Sequence, residues 1–286
     1  MLHGHNTDTW IAFEADKQFT DTPTDKISPA LSDAITKGDM KVCQSLIGRG
    51  FSFDGTCECG CTALLKALVQ RQKDVAKYLL KMGASVDGVA CSKEGLASGL
   101  SLLHLASLEG DLETLQVVLR QSSVSNTFKI QPIHLAARNG SPEILRFLVE
   151  CAEDKTSLLE AKTPKRADYS NFEGFRNLLE NAGQAGPLHI AVRFVRVEAA
   201  EYLLRAGADL EARDERGQTA MHIGVSIRPD KEVLELLIKA GACLNVRDYE
   251  GRTPLMIALE SNRQGLVEDL MALVPGRCWG RVIFLF

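Results

Sequence analysis

At 286 residues the chain is long enough for one large or two ordinary domains, which commonly run to roughly 100–200 residues each. Its composition, 45% hydrophobic and 24% charged, lies near soluble globular usage, which excludes a wholly disordered chain, and the apolar run Val282 to Phe286 is far short of the ~20 residues of a membrane span. With 33 basic against 37 acidic residues the net charge is −4, so the basic excess that phosphate-backbone binding draws on is missing and nucleic acid is not an expected partner.

In chain order, residues 1–27 are polar and predict a mobile N-terminal arm. A hexapeptide then recurs seven times: Pro29-Ala-Leu-Ser-Asp-Ala34, Thr62-Ala-Leu-Leu-Lys-Ala67, Ser101-Leu-Leu-His-Leu-Ala106, Gln131-Pro-Ile-His-Leu-Ala136, Gly186-Pro-Leu-His-Ile-Ala191, Thr219-Ala-Met-His-Ile-Gly224 and Thr253-Pro-Leu-Met-Ile-Ala258. Successive starts lie 33, 39, 30, 55, 33 and 34 residues apart, a period of about 33 with two insertions and one contraction. Proline at a first helical turn costs no hydrogen bond, and a preceding threonine such as Thr253 caps the free amides, so the hexapeptide predicts a helix start. A second apolar block follows it, as in Val75 to Met82, Ala199 to Ala206 and Val233 to Ala240, with helical spacing and a closing glycine at Gly83, Gly207 and Gly241.

Two segments interrupt this rhythm. Ala90 to Leu100 lengthens one connection with glycines and serines. A larger insertion, residues 162–185, adds about 22 residues, and within it Ser170 to Glu173 has capping-box spacing with Phe172, Phe175 and Leu179 at i, i+3 and i+7. An amphipathic helix over Ser170 to Asn181 is predicted there, as an addition to the repeat array. The C-terminal tail, 275–286, is more apolar than the end of a repeat array should be, and two readings stand: a cover over the last helix, or an aberrant end of the coding sequence.

The hexapeptide, the second helix and the loops Gly207-Ala-Asp-Leu-Glu-Ala-Arg-Asp-Glu-Arg-Gly217 and Gly241-Ala-Cys-Leu-Asn-Val-Arg-Asp-Tyr-Glu-Gly251 together resemble the ankyrin repeat. The resemblance covers residues 28–274, with a degenerate first copy that lacks the Thr-Pro and the histidine. It implies an all-α solenoid of stacked helix-turn-helix pairs with hairpin loops. It also implies that His104, His134, His189 and His222, one per repeat, each hydrogen-bond the backbone of a neighbouring loop and do not gather around a metal.

The chemistry of the remaining residues points away from catalysis. No phosphate loop, nucleophile elbow, zinc-protease helix or kinase set is present, and no cofactor or metal site is expected. Cys57, Cys59 and Cys61 sit two residues apart at one hairpin, with Cys91 in the adjacent loop, and supply an alternative reading as a metal- or redox-responsive element. Eight scattered cysteines and an opening that does not read as a secretory leader predict a reducing, intracellular setting, cytoplasmic or nuclear. The leading expectation is a non-enzymatic module, monomeric in isolation, that binds a partner protein through its concave surface as a scaffold or adaptor; a recruiting arm of a larger enzyme or channel is a further alternative. Subtracting the core stripe leaves Arg193, Phe194, Glu215, Arg216, Ser226, Ile227, Tyr249 and Glu250 as the candidate partner-binding residues, since aromatic and arginine side chains are the usual interface anchors.

Overall fold

The computed structural model describes residues 26–58, 60–86, 100–121, 131–167, 179, 182–226 and 230–260. Among these residues there are fourteen helices and no strand beyond isolated bridges, of Lys26 with Thr56 and of Thr56 with Thr62. The chain divides into two compact units, Met1–Leu105 with Gln116–Ser122, and Ala106–Leu115 with Ser123–Phe286.

In the first unit α1 (Pro29–Lys37) and α2 (Met40–Gly48) form one pair, α3 (Ala63–Val69) and α4 (Lys73–Lys81) a second. The local chemistry sets these boundaries. The Ser28 hydroxyl accepts the amide of Leu31 at 3.2 Å, Pro29 occupies the first turn, and Gly38 at φ 71° ends the helix. The first copy, expected to lack the Thr-Pro start, therefore has a Ser-Pro equivalent one residue out of register with the others. Helix α1 packs on α3 and α2 on α4, around Leu31, Ile35, Leu64, Leu65 and Leu79, all fully buried. Burial of each such side chain is worth roughly 1.5–3 kcal/mol, and Ala67 and Ala76, also fully buried, let the helices of a pair approach closely. Ile27 is buried as well, and its N–H donates to the Thr56 carbonyl at 3.0 Å.

Helices α5 (Leu102–Glu109) and α6 (Leu112–Gln121) straddle the division. The second unit then holds α7 (Pro132–Asn139), α8 (Pro142–Cys151), the short α9 (Lys155–Leu159), α10 (Pro187–Arg193), α11 (Val197–Arg205), α12 (Ala220–Ser226), α13 (Lys231–Lys239) and α14 (Pro254–Glu260). First helices form one row, α7 on α10 on α12 on α14, and second helices another, α8 on α11 on α13. Thr253 caps α14 through the amide of Met256 at 3.3 Å, as its position before Pro254 predicts. The described residues thus contain six complete helix pairs and the first helix of a seventh. The arm before residue 26, the expected inserted helix apart from Leu179, the seventh second helix and the tail 275–286 lie outside them.

Consecutive repeats are joined by hairpins that share one closure. The N–H of Cys57, Asp214 and Asp248 donates to the carbonyl four residues on, at Cys61, Gln218 and Arg252, at 2.8, 3.0 and 2.9 Å. Thr163 N–H donates in the same way to the carbonyl of Ala185 at 3.0 Å. Where the others enclose three residues, this closure encloses the whole of residues 164–184. The insertion is therefore a hairpin tip expanded in place, and the repeat resumes on its far side.

Candidate partner-binding surface

The surface is built from the histidines upward. In four repeats the ring Nδ1 accepts an amide from the residue before the helix: Ser101 to His104 at 3.4 Å, Gln131 to His134 at 3.2 Å, Gly186 to His189 at 3.3 Å and Thr219 to His222 at 3.1 Å. An amide can only donate, so Nδ1 is unprotonated and Nε2 carries the hydrogen. In His134, His189 and His222 that hydrogen is given to the next hairpin, at the carbonyls of Ala161 (2.9 Å), Gln218 (3.1 Å) and Arg252 (3.1 Å). These three rings thus tie the first helix of one repeat to the loop that follows, as the resemblance implies. Burial lowers the pKa of His189 and His222, against the pull of Asp214 and Asp248 respectively, and both rings stay neutral near pH 7.

Below the tips, two buried aspartates shape the turns. Asp214 Oδ1 accepts the amides of Arg216 and Gln218 at 2.8 and 2.9 Å. Asp248 Oδ1 takes the amides of Glu250 and Arg252, and its Oδ2 takes the Arg252 guanidinium at 3.0 Å. Burial pushes the Asp248 carboxyl up, but the Arg252 amide and guanidinium outweigh it and hold the group below the usual range. The tips then stack, with Glu215 N–H donating to Gly183 O and Tyr249 N–H to Arg216 O, each at 3.0 Å. The Tyr249 ring rests against Gly217, where a Cβ would come within 2.7 Å of it, yet the residue remains 73% exposed. Gly217 also has φ 74°, so the position excludes a side chain twice over.

Of the eight expected contact residues, Glu215, Arg216, Tyr249 and Glu250 come together on these two neighbouring tips. Glu215 is shared: its Oε2 accepts the Arg166 amide at 3.0 Å, which fastens the base of the insertion to the tip. Arg193 and Phe194 lie at the other end of α10, about 10 Å away along a seven-residue helix. There the Arg138 guanidinium stands 4.9 Å from the centre of the Phe194 ring, and Arg196 Nε donates to Arg138 O at 2.9 Å. Ser226 is half-buried, and its hydroxyl donates to Ile223 O at 3.2 Å. Ile227 lies outside the described residues. Two residues that sequence reasoning passed over, Arg213 and Arg247, occupy the same place in their hairpins as Lys162, the first residue of the basic run Lys162 to Arg166; the recurrence of Ala-Lys, Ala-Arg and Val-Arg before the closing residue is the signal that marks them.

In the cysteine hairpin, Cys57 and Cys61 are buried at the two ends of the closure, while Cys59 and Cys91 lie outside the described residues. Among the described residues no three His, Cys, Asp or Glu side chains are grouped as a metal would need. The buried Cys43 thiol is pushed up to about 11 by desolvation, which keeps it protonated and unreactive.

Family models for ankyrin repeats match residues 31–80, 103–214 and 188–275. The chain belongs to the ankyrin-repeat family. The crystal structure of the human ASB11 ankyrin repeat domain superposes with a TM-score of 0.67 at 22% identity, covering 87% of this chain and 99% of that one. Among curated proteins, NF-kappa-B inhibitor alpha of Gallus gallus is 51% identical over 49 residues, 17% of this chain and 15% of that protein. Palmitoyltransferase AKR1 of Lachancea kluyveri is 26% identical over 133 residues, 44% of this chain and 15% of that protein. The chain spans 14% to 34% of the length of the five curated relatives compared. The ankyrin-repeat array is a protein-interaction module, and no helix among the described residues is long and apolar enough to cross a membrane.

Proposed function

We propose that this ankyrin-repeat protein is a non-enzymatic adaptor that grips a partner protein with the column of hairpin tips, centred on Tyr249 and Arg216. The observation that carries the reading is Tyr249, a large aromatic side chain held against Gly217 and left 73% exposed. A ring pre-positioned in this way loses little rotamer freedom on contact, which is what makes tyrosine an effective anchor. Arg216 and Glu250 flank it as exposed charges, and Phe194 with Arg138 offers a second contact at the far end of α10. One relative is named as the inhibitor of another protein, in keeping with a protein ligand. Similarity to a palmitoyltransferase supports a second setting for the same surface, as the recruiting arm of a longer enzyme.

Affinity capture with Tyr249→Ala, Arg216→Ala and Phe194→Ala proteins tests the reading. Exposed substitutions move stability by less than about 0.5 kcal/mol, so the variants at Tyr249 and Arg216 should melt like the parent. One of the three should weaken the captured partner at least about tenfold, the size of an interface anchor. Leu203→Ala, at a fully buried site, should instead cost roughly 2–5 kcal/mol of stability and lower binding only through unfolding. A partner whose affinity is untouched by all three surface variants and lost on replacing Cys57 or Cys61 would reject the tip surface.

A further inference from the structure

The hairpin stems of the second unit carry a row of cations that the fold itself leaves uncompensated. Lys162 Nζ donates to the Arg213 carbonyl at 3.1 Å, Arg213 donates to the Arg247 carbonyl at 2.8 Å, and Arg247 donates to Gly251 O at 2.6 Å. Lys162 and Arg213 thus each reach over to the next hairpin, Arg213 also holding Gly217 O of its own at 3.2 Å, while Arg247 closes on its own hairpin at the end of the row; the three form one ladder. Their partners are carbonyl oxygens throughout; among the described residues none of the three makes an ion pair. Of the carboxylates in these hairpins, Asp214 and Asp248 are taken by the amides of their own turns and Glu215 by Arg166, while Glu211 gives Oε1 to the Cys243 amide at 2.8 Å and its buried Oε2 bonds none of the three cations. Lys162 and Arg247 are exposed and Arg213 is half-buried, so the positive charge faces solvent along the ladder.

From this geometry we infer that the ladder is a docking rail for an extended acidic peptide segment of the partner, with a carboxylate at every third residue. The inference rests on the adaptor reading above and names the chemistry of what is gripped. Successive repeats stack at a helix spacing of about 10 Å, and a peptide in the extended polyproline II conformation rises about 3.1 Å per residue with three residues per turn, so residues i, i+3 and i+6 share one face and fall opposite Lys162, Arg213 and Arg247. A carbonyl already holds part of each donor set, which fixes the head group in place before a ligand arrives, while the remaining N–H donors stay open to a carboxylate. The chain's net charge of −4 favours a local acidic ligand over a long polyanion, which would meet repulsion beyond the rail.

Fluorescence anisotropy with the labelled peptide Glu-Ser-Thr-Glu-Ser-Thr-Glu tests this on the whole protein, against a peptide of the same composition with its three glutamates adjacent and against a single-stranded DNA 12-mer. The spaced peptide should bind several-fold more tightly than the clustered one and weaken as salt rises from 50 to 300 mM. Arg213→Gln with Arg247→Gln should weaken it about tenfold, since each exposed pair is worth only a few-fold. Arg213→Lys with Arg247→Lys should restore most of the binding, a rescue that a purely structural role for the two arginines would not give. Lys162→Glu, at the end of the ladder, provides a variant whose fold is not at issue. Equal affinity for both peptides, or indifference to Lys162→Glu, overturns the rail; tighter binding of the DNA overturns the acidic-peptide assignment. Tyr249→Ala serves as the separator: loss of a captured partner there with no peptide binding anywhere leaves the adaptor reading standing and the rail refuted.

Discussion

Val195 has φ 55°, a conformation that costs an L-residue about 1–2 kcal/mol and is least suited to a β-branched side chain. The reason lies in the repeat: the turn between first and second helices needs a left-handed residue, filled by Gly38, Gly110 and Gly140 in three repeats but by Arg71 and Val195 in two others. The glycines announce that turn in the sequence; Arg71 and Val195 conceal it, because only the backbone shows what the position demands. Asparagine tolerates the left-handed region without glycine's added chain entropy. Val195→Asn should therefore raise the unfolding free energy by about 0.5–1 kcal/mol in urea melts, whereas an unchanged or lowered midpoint would show that the half-buried valine side chain contributes more by packing than its backbone costs.

Among the elements, the helices were the legible part, since a period of about 33 residues, Pro at first turns and Gly at helix ends each follow from local chemistry. Hairpin closure was less so. Aspartate closes two tips and marks them plainly, but Thr163 takes the same place at the expanded one, with a different side chain and a partner 22 residues on. Its hydroxyl donates to Ala182 O at 2.5 Å and accepts the Ala185 amide at 2.9 Å, and the side chain is almost fully buried. A sequence gives no hint of such a pairing across an insertion, just as it hides that the tip residues Arg216 and Tyr249 adjoin while Phe194 lies a helix length away. Thr163→Val preserves the shape and strands both partners, and should cost about 1–3 kcal/mol. Thr163→Ser, which keeps the hydroxyl, should recover most of the loss; equal destabilisation by valine and serine would mean that the methyl group, and not the closure, holds the base of the insertion.

On the scale of the molecule, the rings of His134, His189 and His222 make the second unit a chain of like joints, each spanning one repeat and the next. In solenoids, stability is largely the sum of such nearest-neighbour terms, so a condition that weakens the joint acts on several repeats at once. Acid is that condition. His189 and His222 titrate below the ordinary value of 6.5, chiefly because burial disfavours the charged ring, and a second ring proton would also confront the amide that already donates to Nδ1. The unfolded chain, with its histidines near 6.5, therefore binds more protons than the folded one as the pH falls, and the linkage sign makes unfolding easier. The stability these neutral rings confer is complete above about pH 6.5 and declines as the pH drops from there toward the folded-state values. Urea midpoints measured between pH 7.5 and 5.5 should fall steadily, and the fall should be smaller in a His189→Asn, His222→Asn double variant, even though that variant starts from a lower midpoint at pH 7.5. An undiminished fall in the double variant would assign the acid sensitivity to groups other than these two rings.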